Sequence, residues 1–153
     1  MERYELRRAT LADAEAIVRF NAALAVETEQ TELDPDTLEA GVERFLSDST
    51  LGAYFVATTD GDPRPAGQIM VTFEFSDWRN GPIWWIQSVY VRPEHRRKGV
   101  YRRLHTCVED AARAAGAVGL RLYVDKQNDR AQATYRSLGM QEARYSMYER
   151  FWT

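Results

Sequence analysis

The sequence predicts a single α+β domain of the three-layer α/β/α type, with a mixed, mostly antiparallel sheet of six to seven strands flanked by about four helices. Three runs of β-branched and aromatic residues follow one another in mid-chain, separated by turn-forming segments. On both sides of them, apolar residues recur at helical spacing, and the elements follow the order β-α-α-β-β-β-α-β-α-β. Because 153 residues is the size of one domain, residues 1–153 are expected to share one core.

The first half of the chain predicts a short strand, two helices and a meander. Residues 4–8 alternate like a strand, and Thr10 with Asp13 has the spacing of a capping box that opens the first helix. Asp34 before Pro35 predicts the start of a second helix, which is expected to end near Ser47. The three β-rich runs are residues 51–59, 66–75 and 82–91, and they predict three antiparallel strands.

The second half predicts two more helices and two more strands. Apolar residues recur at helical spacing from Val100 to Ala115, and Gly116 is a plausible stop. Residues 118–125 predict a buried strand, and residues 128–138 a short helix that ends at Gly139. Residues 142–151 alternate enough to predict a final strand.

Composition excludes several classes of function. The formal charge of −3 provides no global excess of positive charge for nucleic acid or anionic lipid. With Cys107 as the single cysteine, and only His95 and His105 as histidines, we expect no disulfide and no metal site. Cys107 is expected to pack on a helix, and His95 to be an exposed loop residue. The charged N-terminus and the lack of a long apolar run predict a cytoplasmic protein without a membrane segment.

The most informative segment is the strand–loop–helix junction at residues 89–101. Backbone N–H groups in the first turn of a helix converge on one point, and the helix dipole adds partial positive charge there. Gly99 allows close approach of a phosphate, and Arg96, Arg97 and Lys98 add full charges. A basic run before a helix also occurs as ordinary solvated surface, so the loop alone leaves both alternatives open.

This junction resembles the acetyl-CoA motif of the GCN5-related N-acetyltransferase (GNAT) superfamily, in which Arg or Gln, two residues, Gly, one residue and Gly or Ala grip the pyrophosphate. The match runs from Arg96 to Gly99 and Val100, and it departs at Tyr101, where the family prefers a small residue. A later block, residues 122–140, resembles the strand–helix unit of the same superfamily. Since the order of elements also agrees, the resemblance covers essentially the full chain.

The resemblance implies that the chain binds acetyl-CoA as an acyl donor, without a metal. Pantetheine would lie in a V-shaped cleft between the fourth and fifth strands, paired with the main chain of Val89 and Val91. A backbone N–H near Val89 would stabilise the developing oxyanion. The residues that the resemblance assigns to the cofactor are Val89, Val91, Arg96, Arg97, Lys98, Gly99, Val100, Tyr101, Arg102, Asn128 and Tyr135.

Proton transfer is the open question in this assignment, because an alkylamine attacks a thioester only when it is neutral. Many GNAT enzymes use a glutamate on the fourth strand, where this chain has Gln87 and Ser88. We predict that Glu74 takes the proton through a water, with Asp77 as the alternative. Tyr135 is predicted to protonate the leaving thiolate. By spacing alone, Glu74 is better explained as a solvated carboxylate at a strand end and Tyr135 as a core tyrosine, and the family motif is what favours a role for Tyr135.

The acceptor is predicted to be a cationic amine. Residues 21–43 contain seven acidic and no basic side chains in the helix–loop–helix that borders the acceptor site in this superfamily. Glu27, Glu29 and Trp85 are the candidate acceptor-binding residues, although a solvated acidic face explains the charge as well. Trp84 and Trp85 are expected on opposite faces of one strand.

These features predict an N-acetyltransferase that acts on a primary amine of a small molecule or peptide by direct attack on the thioester. The alternative is a non-catalytic acyl-CoA-binding or sensor module. A nucleic-acid patch at residues 95–103 is disfavoured by the acidic chain. Exposed edge strands are compatible with a homodimer.

Overall fold

The computed structural model describes residues 3–152 and contains one mixed sheet with helices. The strands are β1 (Tyr4–Arg8), β2 (Gly52–Thr59), β3 (Asp62–Ser76), β4 (Gly81–Val91) and β5 (Gly119–Arg121), and the helices are α1 (Ala14–Glu29), α2 (Pro35–Ser47), α3 (Val100–Ala114) and α4 (Asp129–Ser137). The strands lie side by side in chain order, antiparallel except for the parallel pair β4–β5. The α+β class and the central meander are therefore confirmed.

The predicted number of strands was too high, because the described residues form five. No strand forms at residues 142–151, and Tyr145, Tyr148 and Phe151 in that segment are largely exposed. Strand β5 ends at Arg121, whereas the sequence predicted a longer run to residue 125. An alternating pattern shows that a segment is suited to a strand. The strand forms only where a neighbouring strand completes its ladder of hydrogen bonds.

The chain divides into two compact units after Leu122. The first unit contains the sheet with α1, α2 and α3. The second contains α4, whose first turn is capped by the Asn128 side chain and which is followed by Gly139 at φ +88°. The expectation of a single domain over residues 1–153 stays a prediction.

Both faces of the sheet are covered in the first unit. One face packs on α3 through Val100, Leu104 and Val108, all almost fully buried. On the other face, Tyr54 of β2 packs against Ile17 of α1 and Val42 of α2. Successive residues of a strand point to opposite faces, so β2 contributes Phe55 to the first core and Tyr54 to the second. Within the part of the chain that is described, no helix is long and apolar enough to cross a membrane.

The entry to α1 is fixed by the predicted capping box, which lies on a 3₁₀ turn at Leu11–Asp13. The Asp13 carboxylate accepts the Thr10 backbone N–H at 2.8 Å and two hydrogen bonds from Arg7 at 2.8 and 2.9 Å. The hydrogen bonds from Arg7 hold the pKa of Asp13 below its usual value, and the carboxylate side chain is only 7% exposed. Asp13 therefore ties the end of β1 to the start of α1.

Replacement of this carboxylate should destabilise the protein. We expect Asp13→Asn to lower the free energy of unfolding by about 1 to 3 kcal/mol. The variant loses the buried negative charge that accepts hydrogen bonds from Arg7 and from the Thr10 backbone N–H. Chemical denaturation at pH 7 measures this difference. The exposed Glu15–Arg19 pair on α1 provides the control, since Glu15→Gln should cost less than about 0.5 kcal/mol.

The pH dependence gives the sign of the Asp13 effect. Because folding lowers the pKa of Asp13, the ionised carboxylate stabilises the folded protein. This stabilisation is complete above the unfolded-state pKa of about 3.9 and is lost as the pH falls through the folded-state pKa. The wild-type and Asp13→Asn stabilities should therefore converge in acid. A difference that persists unchanged at low pH contradicts this assignment.

Candidate cofactor and acceptor site

Strand β4 has neighbours on both sides only at its beginning. It pairs with β5 from Ile83 to Trp85 and then runs on to Val91, still paired with β3. The Arg92 N–H donates to the Ala66 carbonyl of β3 at 2.8 Å. Since alternate residues of an antiparallel strand direct their amide groups to opposite sides, those of Val91 and Val89 point away from β3.

A β-bulge interrupts β4 beside this edge. Val71 of β3 pairs with Ile86, whereas Ile69 pairs with Val89, so β4 has one extra residue at Gln87 and Ser88. A bulge leaves main-chain groups out of the ladder and re-aims the adjacent side chains. Main-chain donors near Val89 are therefore left over from the pairing with β3.

The basic loop enters α3 without a side-chain cap. Gly99 is the N-cap residue at φ +80°, and Arg97 also has a positive φ of 62°. A Cβ atom added at Gly99 would meet nothing within 4 Å. The N–H groups of the first turn, which begins at Val100 and Tyr101, receive no acceptor from the cap. Arg97, Lys98 and Arg102 are exposed around this turn, and the arrangement suits a phosphate.

The loop is anchored to β1, and this corrects the expectation that His95 is exposed. His95 is 7% exposed, and its Nδ1 lies 3.0 Å from the Tyr4 hydroxyl. On the far side of the loop, Arg103 donates to the Tyr4 carbonyl at 2.9 Å. The prediction failed because the partner of His95 is 91 residues away in sequence and no local pattern indicates it.

Arg96 and Glu27, which the sequence assigned to different substrates, contact each other. The Arg96 Nη2 donates to both oxygens of Glu27, at 2.9 and 3.2 Å, and its Nε donates to the Val91 carbonyl at 2.8 Å. Glu29 is exposed at the end of α1. The roles of Glu27 and Glu29 in binding an acceptor stay predictions.

Glu74 and Trp85, two further candidates, also lie together. The Trp85 indole N–H donates to Glu74 Oε1 at 3.0 Å, and Arg121 donates to Glu74 Oε2 at 2.8 Å. The Arg121 guanidinium lies 6.0 Å from the centre of the Trp85 ring. As expected, Trp84 is buried in the core on the opposite face.

A buried polar cluster on the α1 side of the sheet was missed by the sequence analysis. Asn21 donates to the Tyr54 hydroxyl at 3.0 Å and accepts from the Gln68 amide at 3.0 Å. Gln68 is fully buried, and among the described residues its Oε1 has no hydrogen-bond partner. Burial raises the pKa of Tyr54, so its hydroxyl stays protonated. A glutamine inside the apolar run of β3 was the available signal.

Two candidates lie in the second unit. Asn128 caps α4 by accepting the Ala131 N–H at 3.0 Å, and Tyr135 is half-buried on α4. Contact of either residue with a cofactor stays a prediction. In the first unit, Cys107 packs against the core, where burial raises the pKa of its thiol.

The described residues contain no group of three or more His, Cys, Asp or Glu side chains arranged to hold a metal ion. The site instead combines an uncapped helix start, a basic loop and a strand edge with amide groups directed away from the sheet. Such a set fits a ligand that has phosphates at one end and an extended amide-bearing arm. Coenzyme A has this construction.

Comparison with known proteins agrees with the motifs. The bovine (Bos taurus) thialysine N-epsilon-acetyltransferase is 30% identical over 90 residues, which are 57% of this chain and 52% of the relative, so the chain spans about half the length of that relative. A "possible acetyltransferase" from Clostridium difficile 630 is 46% identical, with a TM-score of 0.90 over 97% of both chains. The fold is also that of aminoglycoside N-acetyltransferase AAC(6')-Iy, solved in complex with CoA, at 17% identity and a TM-score of 0.80 over 100% of this chain and 97% of that chain.

The sequence pattern that defines the acetyltransferase (GNAT) family matches residues 15–140, which extend from the first turn of α1 through α4 and include both of the motif blocks identified above. This confirms the resemblance on which the cofactor assignment depends. The chain therefore belongs to the acetyltransferase (GNAT) family.

Proposed function

We propose that the protein transfers the acetyl group of acetyl-CoA to a primary amine of a small molecule or peptide. The observation that carries the proposal is the uncapped start of α3 at Gly99, next to the edge of β4. Coenzyme A combines compact phosphate groups with an extended chain that contains amides. The start of α3 suits the phosphates, and the edge of β4 suits the amide chain.

The cofactor would bind mainly through the first unit. The N–H groups of Val100 and Tyr101, with Arg97, Lys98 and Arg102, would hold the phosphates. The Val89 amide groups and the Val91 N–H would pair with pantetheine, whereas the Val91 carbonyl already accepts from Arg96. Asn128 and Tyr135 belong to the same proposal on the strength of the family motif.

The chemistry follows from the proposed arrangement. The neutral amine nitrogen forms a bond to the thioester carbonyl carbon, and a main-chain N–H near Val89 stabilises the negative charge on the oxygen. The C–S bond then breaks, and the thiolate takes a proton from the Tyr135 hydroxyl. Before the attack, Glu74 takes through a water the proton that leaves the amine neutral, and the second proton that the nitrogen loses on forming the amide restores the Tyr135 hydroxyl.

Glu74 is the proposed proton acceptor, although both of its oxygens already accept hydrogen bonds. A carboxylate oxygen has two lone pairs, so each can accept a water besides Trp85 Nε1 or Arg121. The Glu74 side chain is 37% exposed, so water reaches it.

The proposed acceptor is a cationic amine. Glu29 and the half-buried Trp85 would contact it, because a carboxylate attracts an ammonium group and an indole face binds one. The name of the bovine relative specifies acetylation of an ε-nitrogen, which agrees with an amine of this kind. The proposed compartment is the cytoplasm, and the proposed assembly is a homodimer formed through an exposed edge strand.

A non-catalytic acyl-CoA-binding module is the second candidate, and one observation favours it. The strand position where many family members have a glutamate holds Gln87, whose amide donates to the Thr72 hydroxyl at 3.0 Å. An amide cannot take a proton from an amine at neutral pH. Binding of acetyl-CoA without turnover on any amine would favour this candidate.

Loss of the glycine at the start of α3 tests the cofactor site. We expect Gly99→Glu to lower the affinity for acetyl-CoA at least about tenfold, because a like charge is placed where the phosphates bind. Isothermal titration calorimetry on the cofactor-stripped protein measures this affinity.

The matched control is Gly61→Glu, in the turn between β2 and β3. Gly61 has φ +82° and, like Gly99, open space around an added Cβ, so both variants suffer the same backbone strain. Equal losses of affinity in the two variants would mean that strain, and not the phosphate site, causes the effect.

The role of Glu74 predicts a loss of turnover. Glu74→Gln should lower kcat about 10²- to 10⁴-fold, the usual contribution of a general base. Asp77→Asn, in the exposed turn after β3, removes the same charge as a control and should lower kcat far less. If Glu74→Gln raises KM for the amine while kcat is retained, Glu74 supports Trp85 and is not the base.

The role of Tyr135 predicts a separation of binding from turnover. Tyr135→Phe should lower kcat at least about tenfold with little change in the affinity for acetyl-CoA, since only the acidic hydroxyl is removed. Tyr148→Phe is the control in the same unit, because Tyr148 is 94% exposed. Unchanged turnover in Tyr135→Phe would remove Tyr135 from the mechanism.

A further inference from the structure

We propose that Glu27 is a positioning residue for the cofactor's phosphates, acting through Arg96, and not a ligand of the acceptor. This inference rests on the cofactor site of the proposed function. A side chain of α1 thereby holds the basic loop that follows β4 in place.

The Arg96 side chain is fixed from two directions. Its Nε donates to the Val91 carbonyl at the end of β4, at 2.8 Å. Its Nη2 donates to both oxygens of Glu27 near the end of α1, at 2.9 and 3.2 Å. A planar guanidinium that is bonded along two of its edges has a defined orientation.

The donors of the guanidinium show what remains for a ligand. A guanidinium has five N–H groups, of which Nε contributes one and Nη2 two. Val91 and Glu27 accept from these, and none of the three Arg96 hydrogen bonds described above uses Nη1. Arg96 can therefore bind a phosphate oxygen through Nη1 while Glu27 holds it.

An aromatic platform supports this arrangement. The Arg96 guanidinium carbon lies 5.4 Å from the centre of the Tyr90 ring, within the range of a cation–π contact. The Phe20 ring also packs on the Tyr90 ring, with 5.1 Å between the two ring centres. Phe20 and Glu27 are seven residues apart on α1 and so share one face of that helix. The Tyr90 hydroxyl lies 3.5 Å from Glu27 Oε1. Burial raises the pKa of Tyr90, so this hydroxyl remains a donor at neutral pH.

The ion pair is better explained by positioning than by stability. The two side chains are 43% and 42% exposed, and pairs of this kind contribute little to folding. Holding a long side chain in its binding geometry, in contrast, reduces the entropy that ligand binding must otherwise remove. Since the Arg96 guanidinium already balances the charge of the Glu27 carboxylate, Glu29 is the better candidate of the two for an ammonium group.

Calorimetry with acetyl-CoA on the wild type and four variants tests the proposal. We expect Glu27→Gln to weaken binding about 3- to 10-fold, which is the order of the entropy of one ordered side chain. Glu29→Gln, which removes the same charge near the same helix end without breaking the pair, should leave the acetyl-CoA affinity unchanged. Arg96→Gln should weaken binding further, and adding Glu27→Gln to it should have no further effect.

Two additional measurements separate positioning from other roles. In steady-state kinetics, Glu27→Gln should raise KM for acetyl-CoA and leave KM for the amine unchanged. Arg96→Lys keeps the charge but loses the fork that contacts both Val91 and Glu27, so it should weaken binding much as Glu27→Gln does. Because Arg96→Lys leaves Glu27 intact, it still tests the proposal if Glu27→Gln fails to fold.

The outcomes that would overturn the inference are distinct from failure of the proposed function. Equal or tighter binding of acetyl-CoA by Glu27→Gln, a rise in KM for the amine alone, or additive effects in the double variant would each overturn it. Absence of acetyl-CoA binding by the wild type would overturn the proposed cofactor site itself, and the inference with it.

Discussion

The site depends on how β4 is paired. It pairs with β3 from Gly81 to Val91, interrupted by the bulge at Gln87 and Ser88, whereas its pairing with β5 ends at Trp85. The remainder of β4 is therefore held rigidly from one side while the amide groups of Val89 and Val91 are directed to the other. The same strand delivers the chain into the basic loop, so the position of β4 also sets the position of Gly99 and of the start of α3. A loose or slipped strand would displace both halves of the proposed cofactor site together.

The loop after β4 is held by residues from elements that are distant in sequence. Tyr4 of β1 contacts His95 before the loop and Arg103 after it, and Glu27 of α1 contacts Arg96 within it. Loops bind ligands well when a rigid scaffold fixes their geometry. In this protein the scaffold supplies neutral and acidic partners on the inner side of the loop. The side chains of Arg97, Lys98 and Arg102 are exposed around the same loop.

Local chemistry in the sequence was sufficient to predict the helix ends and the loop. The cap of α2 at Asp34, the capping box before α1 and the glycine at the start of α3 each depend on residues within a few positions of one another. The alternation of Trp84 and Trp85 was likewise read correctly from the two-residue period of a strand. The family motif combined these local features into one cofactor site.

The features that could not be predicted all depend on pairs far apart in the chain. The burial of His95 by Tyr4, the pair of Arg96 with Glu27 and the contact of Glu74 with Arg121 join residues 91, 69 and 47 positions apart. Charge sign alone assigned Glu27 to the acceptor, because the sequence does not show which cation it meets. The prediction of a final strand at residues 142–151 was wrong for a related reason, because an alternating sequence does not supply the neighbouring strand with which it must pair.

The most direct test of acetyl transfer is the release of free CoA thiol by the wild-type protein with acetyl-CoA and a panel of cationic amines, with mass spectrometry of the amine product. The account predicts release of thiol that depends on both the amine and the enzyme, with a product heavier by one acetyl group. Tight binding of acetyl-CoA with no thiol released on any amine would contradict it.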